Sequence, residues 1–376
     1  MLVVRPLPAA FCAILSAVSR FGHELVAGDE SRPTYMRPLA AHFVRPRHEL
    51  LEILDGKQLD TALFDVDGVL IDTTRSYRLS VASGAEHLVR HTYGLDASTP
   101  MVTADDIAAF KRAGGFNSDW DLTQLFAALW TARLREWRGT ANAEVPIAEW
   151  AARATSAAQR GEGGVVWMRK TFPASAIPDN DTARWAHDEY YWGADLVREH
   201  YGRVSQFAPD ATGFVHNEEL LLTPTLLAEL AAAGCDRFGL ITGRVGPEVR
   251  WAVRQLAAAC ERSESGNHQH HWHDGEHGRS PFGCIVPATV YAKPDPRALT
   301  HSLEILGSSG AFFAGDTADD LELVLRYRRV EHSVPVLAVM TADGEEVELY
   351  RQRGADIIVP HVASLPEVLA RLSEPR

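Results

Sequence analysis

The chain has 376 residues and a formal net charge of −13, with 46% hydrophobic and 23% charged residues. This composition is typical of globular proteins, and the acidic balance argues against nucleic-acid binding, which needs a basic face. No run of about 18 apolar residues is present, so we expect no membrane span and no membrane partner. The four cysteines are scattered and form no Cys-x-x-Cys pair, which favours free thiols in the reducing cytoplasm.

Residues 1–45 are expected to form a poorly ordered N-terminal extension. The beginning of the chain is mostly apolar and faintly resembles a signal peptide, but Pro6 and Pro8 interrupt the apolar run. No clear cleavage site precedes the charged residues that follow. We therefore favour an extension, or a start codon assigned too early, over secretion.

Helical patterns dominate the next part of the chain, apart from one short strand. A helix over 47–54 precedes the apolar segment 61–66, which predicts a strand that ends in two acids. Thr103, with Asp106 three residues later, predicts the start of another helix. Helices are predicted at 75–91, 103–114, 119–137, 147–159 and 181–201, with a flexible break at 161–164. We therefore predict an all-helical domain over 73–221, inserted into an α/β pattern.

Strands and helices alternate after this helical block. Strands are predicted at 237–241, 284–286, 311–314, 334–339 and 356–359, and helices at 223–234, 247–261, 297–306, 319–327, 344–353 and 364–372. The alternation predicts the α/β class: a doubly wound parallel sheet built from residues 46–72 and 222–376. Within it, the histidine-rich segment 262–283 is interpreted as a solvated loop rather than a dedicated metal site.

Four polar clusters follow predicted strands of this sheet. They are Asp65-x-Asp67 followed by Gly68, Thr242, Lys293, and Gly315-Asp316-x-x-x-Asp320. Because the carboxyl ends of parallel strands lie along one edge of a sheet, we expect these distant segments to meet. Carboxylates suit Mg²⁺, whereas a lysine and a threonine hydroxyl suit the oxygens of a phosphoryl group. One carboxylate could attack phosphorus while a second transfers protons.

In these motifs the sequence resembles the haloacid dehalogenase superfamily of phosphohydrolases. The matching residues are Asp65-Val66-Asp67-Gly68-Val69, Ile241-Thr242-Gly243-Arg244, Lys293-Pro294-Asp295-Pro296 and Gly315-Asp316-Thr317-Ala318-Asp319-Asp320. They occur in the family's order within residues 60–372. The helical insertion after the first motif resembles the branch, subfamily IA, that carries a helical C1-type cap. The resemblance therefore implies a Rossmann-like core with an inserted cap.

The resemblance also implies a role for each matching residue. Asp65 would be the nucleophile and Asp67 the general acid and base. Thr242 and Lys293 would hold the phosphoryl group, and Lys293 would also steady Asp65. Mg²⁺ would be held by the carboxylates of Asp65 and Asp316, the backbone carbonyl of Asp67, and Asp320 directly or through water.

Further substrate contacts are predicted from Gly243, Arg244, Lys111 and Arg75. Thr242 would bind phosphate or only cap the next helix, and Arg244 would reach substrate or only solvent. Lys111 and Arg75 lie in the helical insertion, which we expect to shape the site around the leaving group.

The resemblance implies a Mg²⁺-dependent phosphomonoester hydrolase that acts on a small phosphorylated metabolite through an aspartyl-phosphate. Asp67 argues against dehalogenation, because dehalogenases of this superfamily lack that second acid. A phosphomutase would use the same four motifs, and a non-catalytic ligand-binding or regulatory protein would keep the same fold, so both alternatives stay open. The sequence indicates no particular oligomeric state.

Overall fold

The computed structural model describes residues 41–96, 100–116, 118–223, 225–261, 268–269, 279–330 and 333–373. Its strands are β1 Phe43–Val44, β2 Thr61–Phe64, β3 Ile71–Asp72, β4 Glu219–Leu220, β5 Arg237–Thr242, β6 His268–Gln269, β7 Arg279–Ser280, β8 Cys284–Pro287, β9 Ala311–Gly315, β10 Val336–Thr341 and β11 Ile357–Val359. Its α-helices are α1 Arg47–Leu54, α2 Tyr77–His87, α3 Ala104–Ala113, α4 Asp119–Thr131, α5 Ile147–Gln159, α6 Gly164–Thr171, α7 Asn180–Tyr201, α8 Leu226–Ala232, α9 Pro247–Glu261, α10 Arg297–Leu306, α11 Ala318–Val330, α12 Glu345–Arg353 and α13 Leu365–Ser373. None of these helices is both long and apolar enough to cross a bilayer.

The central sheet confirms the predicted α/β class. Seven strands lie in the order β1-β11-β10-β9-β2-β5-β8, and the strands from β11 to β8 are parallel to one another. Strand β2 lies at the centre between β9 and β5. The segments that follow these strands therefore share one edge of the sheet, where α/β proteins place their ligands.

Helices cover both faces of the sheet, as the doubly wound pattern requires. Neighbouring residues of a strand point to opposite faces, so Phe64 packs against one layer and Leu63 against the other. The layer around Phe64 contains buried residues of α1, α8, α9 and α13, and the layer around Leu63 contains buried residues of α10, α11 and α12. Both side chains are fully buried. Strands that are buried on both faces have continuous apolar sequences, and for this reason these strands could be predicted from the sequence.

The N-terminal boundary of the core differs from the prediction. Residues 41–45 belong to the predicted N-terminal extension, yet Phe43–Val44 pairs antiparallel with β11 at the edge of the sheet. Arg45 then holds the buried Asp356 with a contact of 3.0 Å. A two-residue strand carries no readable alternation, so only its tertiary pairing identifies it. The rest of the predicted extension, residues 1–40, lies outside the described residues.

Helices make up the chain between β3 and β4. Their buried side chains form a hydrophobic cluster of their own, which includes Phe110, Phe126, Trp150 and Met168. The structure adds helix α6, which begins at Gly164, the last residue of the predicted flexible break. It also interrupts α7 at Gly193, whose φ is 76°, where one continuous helix was predicted.

Two small antiparallel pairs complete the described chain. Strand β3 pairs with β4, so the point where the chain leaves the core lies beside the point where it returns. Strand β6 pairs with β7 in the histidine-rich segment 262–283, most of which lies outside the described residues.

Candidate active site

Three carboxylates converge at the carboxyl edge of the central strands. One ligand atom from each of Asp65, Asp316 and Asp320 lies within 4.8 Å of the others. Asp65 follows β2, Asp316 follows β9, and Asp320 lies in the first turn of α11. The central position of β2 next to β9 therefore brings together acids that lie about 250 residues apart in the chain.

A lysine lies among these acids. The Nζ of Lys293 is 2.6 Å from Oδ2 of Asp65 and 2.7 Å from Oδ1 of Asp320. Its side chain is only 10% exposed, and the two carboxylates are almost completely buried. Hydrogen bonds to charged partners in such dry surroundings are strong, so Lys293 fixes the direction in which Asp65 points.

The first loop can approach the cluster closely because residue 68 is a glycine. Gly68 has a φ of +73°, and a Cβ added there would lie 2.1 Å from Oδ2 of Asp316. The backbone turns sharply at this point, where the Gly68 N–H donates to the carbonyl of Ile71 at 2.8 Å. Glycine adopts this left-handed conformation without steric cost. The motif therefore needs glycine both for the turn and for the space of the neighbouring carboxylate.

Asp320 organises the loop that carries Asp316. Its Oδ2 accepts hydrogen bonds from the backbone N–H of Asp316 at 3.2 Å and of Thr317 at 2.9 Å. It also accepts the hydroxyl of Thr317 at 2.6 Å. These contacts lie at the N-terminal end of α11, where a negative charge is favoured. Asp320 thus shapes the loop with one oxygen while the other faces Lys293.

The three clustered acids carry more negative charge than Lys293 alone can balance. Burial raises the pKa of Asp65 to about 7, although Lys293 opposes the shift and the charges of Asp320 and Asp67 add to it. Burial and the neighbouring carboxylates likewise raise the pKa of Asp316 well above its ordinary range. Burial alone would lower the pKa of Lys293, but the charges of Asp320 and Asp65 raise it overall. One lysine does not balance the buried acids.

The donor set fits a hard divalent cation. Oδ1 of Asp316 is buried and accepts no hydrogen bond from the described residues. Carboxylate oxygens are the ligands that Mg²⁺ prefers, and a bound ion would relieve the repulsion among the three acids. The residues present therefore suit the ion that the sequence predicted.

Asp67 belongs to a different set of contacts. Its Oδ1 accepts the Nε–H of Arg244 at 2.9 Å, and Nη2 of the same guanidinium lies 2.7 Å away. Nη2 also lies 3.0 Å from Oε1 of Glu218, and Nη1 donates to the hydroxyl of Tyr191 at 3.4 Å. The carboxylate of Asp67 is thus held by Arg244, whose other partners lie in the chain between β3 and β4.

Arg244 lies in surroundings that the sequence did not predict. The sequence predicts that its side chain reaches either substrate or solvent, and the structure buries it completely within an ion-pair network. Burial alone would lower its pKa, yet the neighbouring Asp67, tyrosine hydroxyls and Glu218 raise it well above the ordinary value. The guanidinium is therefore a permanent charge of the interior.

The other predicted substrate contacts lie in different surroundings. The buried Thr242 accepts the backbone N–H of Arg244 at 3.1 Å, which leaves its hydroxyl proton free to donate. Gly243 is exposed, and a Cβ added there meets nothing within 4 Å, so open space lies beside it. Arg75 is exposed and pairs with Glu219 at 3.5 Å.

Lys111 is likewise paired within the insertion, with 3.0 Å between its Nζ and Oδ1 of Asp119. The structure therefore does not bring the charge of Arg75 or of Lys111 to the acidic cluster. Both substrate contacts remain predictions that the geometry does not support.

Comparison with known proteins identifies the family. A family model described as haloacid dehalogenase-like hydrolase matches residues 59–323, well over half of the chain. The chain belongs to this family. No curated protein matches it.

Among solved structures, this hydrolase resembles phosphatase Tt82 from Thermococcus thioreducens with a TM-score of 0.50 and 23% identity, over 78% of this chain and 99% of the other. It also resembles a Northeast Structural Genomics Consortium target with a TM-score of 0.50 and 16% identity, over 84% of this chain and 99% of that one. At these identities the likeness shows the fold alone.

The motifs of the hydrolase family did not reveal the partners of Arg244. Glu218 lies in the segment that returns from the insertion, and Tyr191 lies in α7. Neither residue belongs to a recognisable motif, and the sequence offered no signal for their contact with the core.

Proposed function

We propose that this protein is a Mg²⁺-dependent phosphomonoester hydrolase that acts on a small phosphorylated metabolite through an aspartyl-phosphate. The contact between Lys293 and Asp65 inside a buried cluster of three carboxylates is the observation that carries the proposal. A carboxylate fixed by a lysine at a strand end is oriented to attack, and Lys293 together with a cation held by the three acids would offset the charge of a phosphoryl group.

The first step transfers the phosphoryl group to the protein. An oxygen of Asp65 forms a bond to phosphorus, and the bond from phosphorus to the leaving-group oxygen breaks. Asp67 in its protonated form gives its proton to that oxygen, so the alcohol leaves neutral. Lys293 and the free hydroxyl proton of Thr242 would hold the non-bridging oxygens.

The second step returns the protein to its starting state. Asp67, now a carboxylate, takes a proton from water as the water oxygen attacks phosphorus. The bond between phosphorus and Asp65 then breaks and inorganic phosphate leaves. The two acids thus serve different purposes, one covalent and one proton-transferring.

Mg²⁺ would be held by Asp65, Asp316 and the backbone carbonyl of Asp67, with Asp320 as a ligand or as a partner of its water. When bound, it would supply charge neutralisation between the anionic nucleophile and the anionic substrate. The raised pKa values of Asp65 and Asp316 support this role, because a cation would keep both acids ionised at neutral pH.

Replacement of Asp65 tests the proposal. Asp65→Asn should abolish phosphate release from a generic aryl phosphate in the presence of Mg²⁺. Asp60→Asn is the matched control, because Asp60 is a buried acid at the opposite end of the same strand. Activity retained by Asp65→Asn would contradict the mechanism.

Two further readouts separate the proposal from its alternatives. A mass increase of one phosphoryl group on the Asp65 peptide, trapped by acid quench in the Asp67→Asn variant, is expected for the covalent intermediate. Free phosphate should appear without any bisphosphate activator, whereas a phosphomutase would require one.

A further inference from the structure

We propose that Arg244 is a positioning residue that orients Asp67 towards the leaving group. Glu218 and Tyr191, which lie in the chain between β3 and β4, hold Arg244 in turn. This inference rests on the proposed function, because it concerns how the proton-transferring acid is held. It differs from the substrate contact predicted for Arg244, since the residue would act through Asp67 rather than on the substrate.

The first observation is the direction of the contacts on Asp67. Nε and Nη2 of Arg244 both approach Oδ1 of Asp67, at 2.9 and 2.7 Å. The described residues give Oδ2 of Asp67 no hydrogen bond, and the side chain is 29% exposed. A planar guanidinium that grips one oxygen fixes the rotamer of the carboxylate and leaves the second oxygen free to exchange protons.

The second observation is that further groups hold the guanidinium in place. Oε1 of Glu218 accepts the Tyr191 hydroxyl at 2.8 Å and the Ser76 hydroxyl at 3.2 Å, and it lies 3.0 Å from Nη2 of Arg244. The ring of Tyr191 stacks on that of Tyr77 at 4.7 Å, and Arg244 lies over Tyr77 at 5.6 Å. Aromatic and ionic contacts from the insertion therefore hold the guanidinium in addition to its contacts with Asp67.

The third observation is that the residues of this network come from two different parts of the chain. Asp67 and Arg244 belong to the sheet core, whereas Tyr77 and Tyr191 lie in helices of the insertion and Glu218 in its returning segment. The rotamer of the acid is thus set jointly by both parts of the chain. A lysine could not reproduce this arrangement, because an ammonium group lacks the fixed fork that meets both carboxylates at once.

A comparison of two leaving groups tests the inference. Departure of a nitrophenolate needs no proton, whereas departure of an alkoxide does. Values of kcat/KM report the step in which the leaving group departs, so they should be measured with Mg²⁺ for 4-nitrophenyl phosphate and for an alkyl phosphate such as glycerol 2-phosphate. A positioned acid contributes roughly 10²–10⁴-fold to such a step.

Arg244→Met should lower kcat/KM for the alkyl phosphate by about 30-fold or more and that for the nitrophenyl phosphate by less than about 3-fold. Arg244→Lys should show the same selectivity to a smaller extent. Glu218→Gln, which keeps the shape of the anchor, should also do so. These two variants decide the question if Arg244→Met does not fold.

Arg328→Met is the matched control, because Arg328 is a partly buried arginine that pairs with the buried Asp356. It should lower stability and leave the ratio of the two kcat/KM values unchanged. Equal losses on both substrates in the Arg244 and Glu218 variants would overturn the inference. Asp65→Asn separates the two proposals: if it abolishes turnover of both substrates while the Arg244 variants show no selectivity, only the positioning role fails.

Discussion

Replacing Gly68 with alanine tests how closely the first loop packs against the acidic cluster. Gly68 has a φ of +73°, and the added Cβ would lie 2.1 Å from Oδ2 and 2.6 Å from Cγ of Asp316. Real Cβ atoms do not approach heavy atoms so closely. The carboxylate of Asp316 must therefore move out of its position among the three acids.

Gly56 provides the matched control for the size of this effect. Its φ is +69°, and a Cβ added there meets nothing within 4 Å. Gly56→Ala therefore measures the left-handed strain alone, about 1–2 kcal/mol. Gly68→Ala adds the cost of overpacking a buried side chain, about 1–3 kcal/mol. We expect Gly68→Ala to lose about 2–5 kcal/mol of the free energy of unfolding in total.

Urea unfolding of both variants, with and without Mg²⁺, measures the difference. Gly56→Ala should gain as much stability from Mg²⁺ as the wild-type protein does. Gly68→Ala should gain less, because one of the expected ligands is displaced. If the two variants lost the same free energy and responded equally to Mg²⁺, the packing argument for Gly68 would be refuted.

Two further predictions concern pH and the insertion. In EDTA, the free energy of unfolding should fall by up to about 4 kcal/mol as the pH rises from 4 to 7. Burial raises the pKa of Asp65 to about 7, so over this range the native state keeps a proton that the unfolded state releases. Urea unfolding across this range checks the sign, and a flat profile would contradict it. Gly193→Ala should lower Tm far more than Gly202→Ala: both glycines have positive φ, but only at Gly193 would the Cβ meet backbone, 2.4 Å from the carbonyl carbon of Thr212. Equal shifts in Tm for the two variants would show that the close approach of Gly193 to the backbone at Thr212 tolerates a side chain.

The strand ends could be predicted from the sequence because their signals are local. Asp65, Asp316 and Lys293 each follow a short apolar run, and the topology of parallel sheets places such ends together. The structure adds the distances between them and shows that Lys293 touches both Asp65 and Asp320. The rule that the carboxyl ends of parallel strands share one edge of the sheet was therefore enough to predict that these distant residues meet.

The features that escaped prediction are those that depend on contacts between distant segments. The surroundings of the Arg244 side chain could not be predicted, because its partner Glu218 lies in the segment that returns from the insertion and belongs to no motif. Gly193 interrupts α7 within a segment whose sequence predicts one continuous helix, and the reason is the close approach of the backbone at Thr212. The strand at Phe43–Val44 is too short to show alternation, and it exists because β11 offers an open edge.

The pairing of β3 with β4 has a consequence for how this protein can vary. Ile71 lies opposite Leu220 and Asp72 opposite Glu219, so the two ends of the helical insertion are one strand spacing apart, about 4.8 Å. The chain therefore enters and leaves the insertion at adjacent positions, in a strand pair separate from the central sheet. Because the entropy of closing a loop grows only with the logarithm of its length, segments of very different size can be accommodated there without rebuilding the strands. This junction therefore separates the length of the insertion from the geometry of the strands that carry the acids.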